Sequence, residues 1–247
     1  MALINGLFYS KSLEFSTNVT IIMPDDIKEN EEINVLFLLH GFNGGYLDFI
    51  RHTSVEKIAL KNRVAVIMPE ANNSFYTNTG YGQKYYDYIA YELPNIIKNM
   101  FNIKITKKNS YIAGLSMGGY GALKIAFNNP ENYSKVAGIS SVVDIVNMYD
   151  MNENRKDLFK SIFGSKKELV NDSINNLYNV VEFKKSFDLK IYLSCGTEDF
   201  LYEDNLSFSK FLNSRNVNHD FIVKNGTHNW EYWQSEINKV FDFFFNK

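Results

Sequence analysis

A serine at position 116 is flanked by glycines in Tyr111-Ile112-Ala113-Gly114-Leu115-Ser116-Met117-Gly118-Gly119-Tyr120-Gly121. An apolar run enters Gly-x-Ser-x-Gly and a helix-forming segment leaves it, the pattern that places a side chain on a sharp strand-to-helix turn. Glycines on both sides remove Cβ atoms that would collide in such a turn. A serine hydroxyl is a poor nucleophile until a base takes its proton, and that base needs a third group to orient it. Later in the chain, His228 in Gly226-Thr227-His228 and Asp199 in Gly196-Thr197-Glu198-Asp199 are of the right types. A neutral His228 would accept the serine proton and later return it, while Asp199 would fix the tautomer and stabilise the imidazolium. The chemistry would be covalent acyl transfer. Its oxyanion would be met by two backbone N–H groups, that of Met117 at the helix start and that of Phe42 in the turn His40-Gly41-Phe42-Asn43-Gly44-Gly45.

The elbow motif alone also arises by chance, so its context decides. Each of the three groups follows an apolar, strand-like run, and the chain order is serine, acid, histidine, as in α/β-hydrolases. The competing acids fit less well: Glu198 would point to the other side of a tight turn, and Asp204 falls on the next helix. Among the other histidines, His40 ends a strand and would brace the loop, His52 belongs to a helix, and His219 opens a strand. Aromatic patches remain around Phe75-Tyr76-Thr77 and around Trp230, Tyr232 and Trp233. From these, Tyr76 and Trp230 are the expected substrate-binding residues, since aromatic walls suit small apolar acyl groups.

These residues need a scaffold that brings distant turns together. Residues 7–22 alternate apolar and polar about a turn, which predicts an antiparallel entry hairpin. Ile33–Leu39 is almost continuously apolar and reads as a central strand covered on both faces. Further strands are predicted at Val64–Met68, Tyr111–Ala113, Val136–Ile139, Ile191–Ser194 and Phe221–Val223. Helical spacing marks Leu47–Leu60, Tyr85–Met100, Met117–Asn128, Tyr202–Ser214 and Tyr232–Phe245. Such alternation predicts an α/β fold: a mainly parallel sheet with helices on both faces, the α/β-hydrolase fold, in a single domain spanning 1–247. Residues 142–188 interrupt the alternation. They read as a polar, irregular, cap-like insertion near the site, with short helices near Asp157–Phe163 and Asp172–Leu177.

Bulk properties limit the alternatives. The 247 residues are 45% hydrophobic and 15% aromatic, enough for a substantial core. Net charge is −2, and the acidic stretch Asp25-Asp26 with Lys28-Glu29-Asn30-Glu31-Glu32 reads as a solvated loop. Nothing electrostatic recommends nucleic acid or a membrane surface as partner. The single cysteine, Cys195, excludes an intrachain disulfide and reads as a buried structural thiol; no metal or cofactor is expected. The start of the chain has no signal-peptide pattern and no segment is apolar enough to span a bilayer, so the expected location is cytoplasmic. Oligomeric state, a homo-oligomer included, stays open, since the sequence does not separate exposed from buried aromatics.

Taken with Gly114–Gly121, the segments Cys195–Glu203 and Gly226–Trp233 resemble the esterase D group, with the nearest likeness to bacterial tributyrin esterases. Phe75-Tyr76-Thr77, Tyr81-Gly82 and Glu92-Leu93-Pro94 add to the likeness, which runs from about residue 7 to 245. The resemblance implies a serine carboxylesterase for short-chain acyl esters, with a small-molecule ester as its partner. S-formylglutathione hydrolase, a thioesterase in this group, usually carries a cysteine in the oxyanion loop. Here the loop is His40-Gly41-Phe42-Asn43-Gly44-Gly45, which weakens the thioesterase alternative. Feruloyl and acetylxylan esterases of the group are typically secreted or joined to carbohydrate-binding modules, and neither feature is seen here.

Overall fold

A computed structural model describes residues 1–28, 31–184 and 187–246. Glu29 and Asn30 of the acidic loop, and Lys185 and Ser186 of the 142–188 segment, lie outside the described residues.

Eight strands form one sheet: β1 (Ala2–Ser10), β2 (Phe15–Met23), β3 (Asn34–Leu39), β4 (Val64–Pro69), β5 (Ser110–Leu115), β6 (Lys135–Ile139), β7 (Lys190–Gly196) and β8 (Asp220–Lys224). Their spatial order is β1-β2-β4-β3-β5-β6-β7-β8. β1, β2 and β4 pair antiparallel, and from β4 to β8 every pairing is parallel. This is the α/β-hydrolase fold. The continuous apolar run at β3 has its reason in this order. Val35, Phe37 and Leu39 face one core and Leu36 and Leu38 the other, so no polar position is tolerated between them.

The helices are α1 (Asp48–His52), α2 (Val55–Asn62), α3 (Tyr85–Asp87), α4 (Leu93–Phe101), α5 (Met117–Asn128), α6 (Ile145–Met151), α7 (Lys156–Phe163), α8 (Lys166–Val170), α9 (Leu177–Lys184), α10 (Tyr202–Ser214) and α11 (Trp230–Phe245). A π-helical turn, Tyr88–Glu92, joins α3 to α4. α1, α2 and α11 pack on the face of Leu36 and Leu38, and α4, α5, α9 and α10 on the face of Val35 and Phe37. No helix among the described residues is long and apolar enough to cross a membrane.

Four expectations need correction. The entry hairpin is longer than 7–22, running from Ala2 to Met23. The single helix expected over Leu47–Leu60 is two helices, split at Thr53-Ser54. There Thr53 Oγ1 donates to Phe49 O and accepts from Val55 N, so the hydroxyl takes over backbone partners. The 142–188 segment is mainly helical rather than irregular. Asp172–Leu177 is not a helix: Asp172 Oδ1 accepts from the N–H groups of Ile174 and Asn175, which holds a turn ahead of α9.

Glu92, from the Glu-Leu-Pro triplet, ties the sheet edge to this framework. Its carboxylate accepts from Ser10 Oγ at 2.7 Å, Lys11 N at 2.7 Å and Ser12 N at 3.0 Å, fixing the hairpin turn.

Candidate active site

The sheet register sets the height of the turns that follow the parallel strands. Leu39 pairs with Gly114, Leu115 with Ile139, and Gly196 with Lys224. The turns after β3, β5, β7 and β8 therefore leave the sheet along one edge, where open parallel sheets form their clefts.

Ser116 is the residue between β5 and α5 and holds φ 54°, ψ −118°, a conformation that costs about 1–3 kcal/mol for a residue with a Cβ. The surroundings enforce it. Ser116 N donates to Ile139 O at 2.9 Å, and Ser116 O accepts from Tyr120 N at 3.1 Å and Val142 N at 3.2 Å. A Cβ at Gly114 would lie 2.3 Å from Gly118 backbone, and one at Gly118 would lie 2.1 Å from Leu39 O. Both motif glycines are therefore demanded by packing of the elbow against itself and against β3.

The structure brings Ser116, His228 and Asp199 together. His228 Nε2 lies 3.0 Å from Ser116 Oγ, and Nδ1 lies 3.0 and 2.9 Å from Asp199 Oδ1 and Oδ2. The His228 side chain is 19% exposed whereas that of Asp199 is fully covered, so the cavity reaches the imidazole but not the carboxylate. Asp199 Oδ1 also accepts from Leu201 N at 2.9 Å, which pins the carboxylate. With Asp199 accepting, Nδ1 carries the proton and Nε2 is the free acceptor facing the serine hydroxyl.

The other acids are occupied elsewhere. Glu198 accepts from Gly226 N at 2.6 Å, a bond that holds its carboxyl below the usual range and clamps the loop bearing His228. Asp204, on α10, accepts from Asn147 Nδ2 at 3.1 Å through both oxygens, and burial raises its pKa. Cys195 is buried on β7; burial, helped by the charge of Asp199, pushes its thiol well up and leaves it inert.

His40 is the counter-example to His228. It is 1% exposed, Nδ1 lies 2.8 Å from Gly41 O, and Nε2 accepts from Ala71 N at 3.0 Å. An amide must donate, so Nε2 carries no proton and the ring is neutral. The 3.4 Å approach of Glu70 to Nε2 is therefore not an ion pair. Both ring nitrogens are spent on bracing the turn that carries Phe42. Among the described residues, neither Phe42 N–H nor Met117 N–H donates to a protein acceptor. His52 stacks on Trp230 at 4.6 Å, and His219 bonds Ser209 Oγ at 2.7 Å.

A cavity of about 670 Å³ opens over the triad. One side is formed by Phe200, Trp230 and Trp233, with ring centroids of Phe200 and Trp233 4.7 and 4.9 Å from that of His228. Phe42, Phe75, Val142, Met148, Arg155 and Phe159 also line it, with the Phe75 ring 5.6 Å from that of Phe42 and 5.2 Å from that of Phe159. Trp230 thus lines the cavity. Tyr76 does not: it is fully buried, its hydroxyl donates to His40 O at 2.9 Å, and Phe75 takes the place expected of it. Phe75 and Tyr76 adopt φ 50° and 53°, and this paired left-handed turn reverses which ring faces the cavity.

Lys124 is a residue the sequence reading missed. It lies on α5 and is fully buried, with Nζ donating to Phe75 O (3.1 Å), Thr77 Oγ1 (2.6 Å) and Asn175 Oδ1 (3.1 Å). The ammonium also lies over the Tyr120 ring, 4.7 Å from its centroid. Burial pushes its pKa well below the usual lysine value. It ties α5 to the Phe75-Tyr76 turn and to the segment before α9. The available signal was one charge in an otherwise uncharged helix, Met117–Asn128.

The fold and this constellation define a hydrolase of the α/β class. The family described as "Putative esterase" matches residues 10–244, and the chain belongs to that family and is a carboxylic ester hydrolase. An acetyl esterase of Caldicellulosiruptor saccharolyticus is 28% identical over 259 aligned positions, covering 98% of this chain and 97% of the relative. The Staphylococcus aureus fluorophosphonate-binding serine hydrolase FphF is similar at 30% identity and a TM-score of 0.92, covering 100% of this chain and 99% of the other. FrmB of Staphylococcus aureus, an S-formylglutathione hydrolase, is similar at 30% identity and a TM-score of 0.90, with 99% of each chain covered.

Proposed function

We propose that this enzyme hydrolyses short-chain carboxylic esters through an acyl-enzyme on Ser116. The observation that carries the reading is the continuous hydrogen-bonded line from Ser116 Oγ through His228 to Asp199. His228 Nε2 takes the hydroxyl proton as Oγ forms its bond to the ester carbonyl carbon. The oxyanion is met by the N–H groups of Phe42 and Met117, donors with no other protein acceptor among the described residues. Collapse breaks the acyl–oxygen bond, and the imidazolium returns the proton to the departing alkoxide. Water then attacks the acyl-enzyme by the same relay, releasing the acid and restoring Ser116. Asp199 holds the tautomer throughout. Trp230 and Phe75 wall the cleft, while Phe159 and Met148 limit the depth available to an acyl chain.

Burst kinetics with p-nitrophenyl butyrate test the mechanism. One equivalent of p-nitrophenol is expected ahead of steady turnover, with kcat/KM declining steeply for longer acyl chains and tributyrin among the accepted esters. Turnover without any acyl-enzyme, under single-turnover conditions that resolve it, would contradict the proposal. A thioesterase reading draws support from the likeness to FrmB. It would be preferred if S-formylglutathione exceeded simple esters in kcat/KM.

A further inference from the structure

The helices between β6 and β7 bring a cation to the cavity. Arg155 lines the cavity with its guanidinium carbon 4.7 Å from the centroid of the Phe42 ring. The nearby carboxylates are engaged elsewhere: Glu153 pairs with Lys156 at 2.7 Å, Asp150 pairs with Lys166, and Asp48 accepts from Gly45 N at 3.1 Å. Among the described residues the Arg155 guanidinium makes no ion pair, and its one hydrogen bond is to Asn152 Oδ1 at 3.4 Å. A guanidinium has five donors in a fixed fork that matches a carboxylate, and this one presents them at a substrate cavity.

We propose that Arg155 recognises a carboxylate at the far end of the acyl chain, which makes half-esters of short dicarboxylic acids substrates of this site. The proposal rests on the esterase reading above. The acyl assignment follows from where the proton goes. His228 protonates the leaving oxygen, so the alcohol departs on the side of Phe200, Trp230 and Trp233. In the proposal the acyl chain runs along the remaining lining, where the Phe75 and Phe42 rings lie 5.6 Å apart and Arg155 stands over Phe42. The reaction consumes water and yields the alcohol and the dicarboxylate. The acyl–oxygen bond breaks, a carbon–oxygen bond to water forms, and one proton is released. An Arg155 that only clasps the Phe42 ring would affect neutral and anionic esters alike, which gives the experiment its discrimination.

The test is a pH-stat comparison of monoethyl glutarate and monoethyl adipate with ethyl valerate and ethyl hexanoate, pairs that differ by a terminal methyl or carboxylate. In Arg155→Gln the anionic-to-neutral ratio of kcat/KM should fall about five- to tenfold, the size of a solvent-accessible charge-assisted pair. In Arg155→Glu it should fall further, and in Arg155→Lys most of it should remain. The wild-type ratio should also decline as ionic strength rises. An unchanged ratio in Arg155→Gln overturns the proposal, as does a charge effect seen only with butyryloxyacetate, where the carboxylate is on the alcohol side. If the wild type fails to hydrolyse even ethyl butyrate and p-nitrophenyl butyrate, the short-chain esterase reading itself falls. Hydrolysis of neutral esters with a ratio indifferent to Arg155 removes the Arg155 assignment alone.

Discussion

Along one rim of the cavity, Phe42, Ser116, Asp199 and His228 sit on turns that follow β3, β5, β7 and β8; along the other, the wall is a run of short helices between β6 and β7. The first rim is held by the sheet itself. Its positions are set by strand register, by Gly114 and Gly118 packed against backbone, and by carboxylates that accept backbone N–H bonds. The second rim is held by side chains, with Phe159 and Phe163 packed on Phe75 at 5.2 and 5.7 Å and Lys124 reaching Asn175. Backbone ladders fix reacting atoms within tenths of an ångström, whereas side-chain packing tolerates exchange of one apolar shape for another. On the function proposed above, the first rim would carry the chemistry and the second would choose the acyl group.

That contrast is open to attack from either rim. Ser116→Ala should lower kcat by about 10⁴-fold or more on every ester, and Asp199→Asn by about 10³- to 10⁴-fold, with little change in the order of preference among acyl chains. Phe159→Ala, on the second rim, should cost about 3–5 kcal/mol of stability, read by denaturant unfolding, and raise the hexanoate-to-acetate ratio of kcat/KM. A uniform loss on all chains would show that the wall does not select. Lys124→Met removes a buried cation and with it the hydrogen bonds to Phe75 O, Thr77 Oγ1 and Asn175 Oδ1 that hold the turn. A net loss of about 1–3 kcal/mol is expected, with KM moving more than kcat because the wall shifts and the triad does not.

The smallest effect concerns Glu198. Its carboxyl is held below the ordinary value of 4.5 by the Gly226 N–H, so its contribution is present above that value and lost as pH falls through the depressed folded pKa. Glu198→Gln should therefore lower Tm slightly at neutral pH, and the gap to the wild type should close on acidification below about pH 4.5. A gap that stays constant with pH would remove the charge from the clamp.

The two rims were also unequally legible. Apolar runs bounded by glycine identified the parallel strands, and each reactive residue follows one of them, so sequence position alone foretold where Ser116, Asp199 and His228 would stand. The second rim gave weak signals because its helices span only five to eight residues, such as Lys166–Val170 and Leu177–Lys184, too short for a clear 3.6-residue pattern. Tyr76 was misassigned for a different reason: two successive left-handed residues turn Phe75 into the cavity, and composition does not encode that reversal. Lys124 and Arg155 show the limit from both sides. One is a buried lysine that looks like an ordinary helix-surface residue, and the other is a surface arginine whose place at the cavity only the fold of the helices between β6 and β7 reveals.

Labelling with a fluorophosphonate, followed by intact mass and peptide mapping, tests the nucleophile most directly. The wild type should gain a single adduct on the peptide containing Ser116, Ser116→Ala should gain none, and His228→Ala should react far more slowly. An adduct on any other residue, or labelling of Ser116→Ala at the wild-type rate, would contradict the assignment of Ser116 as the acyl-carrying group.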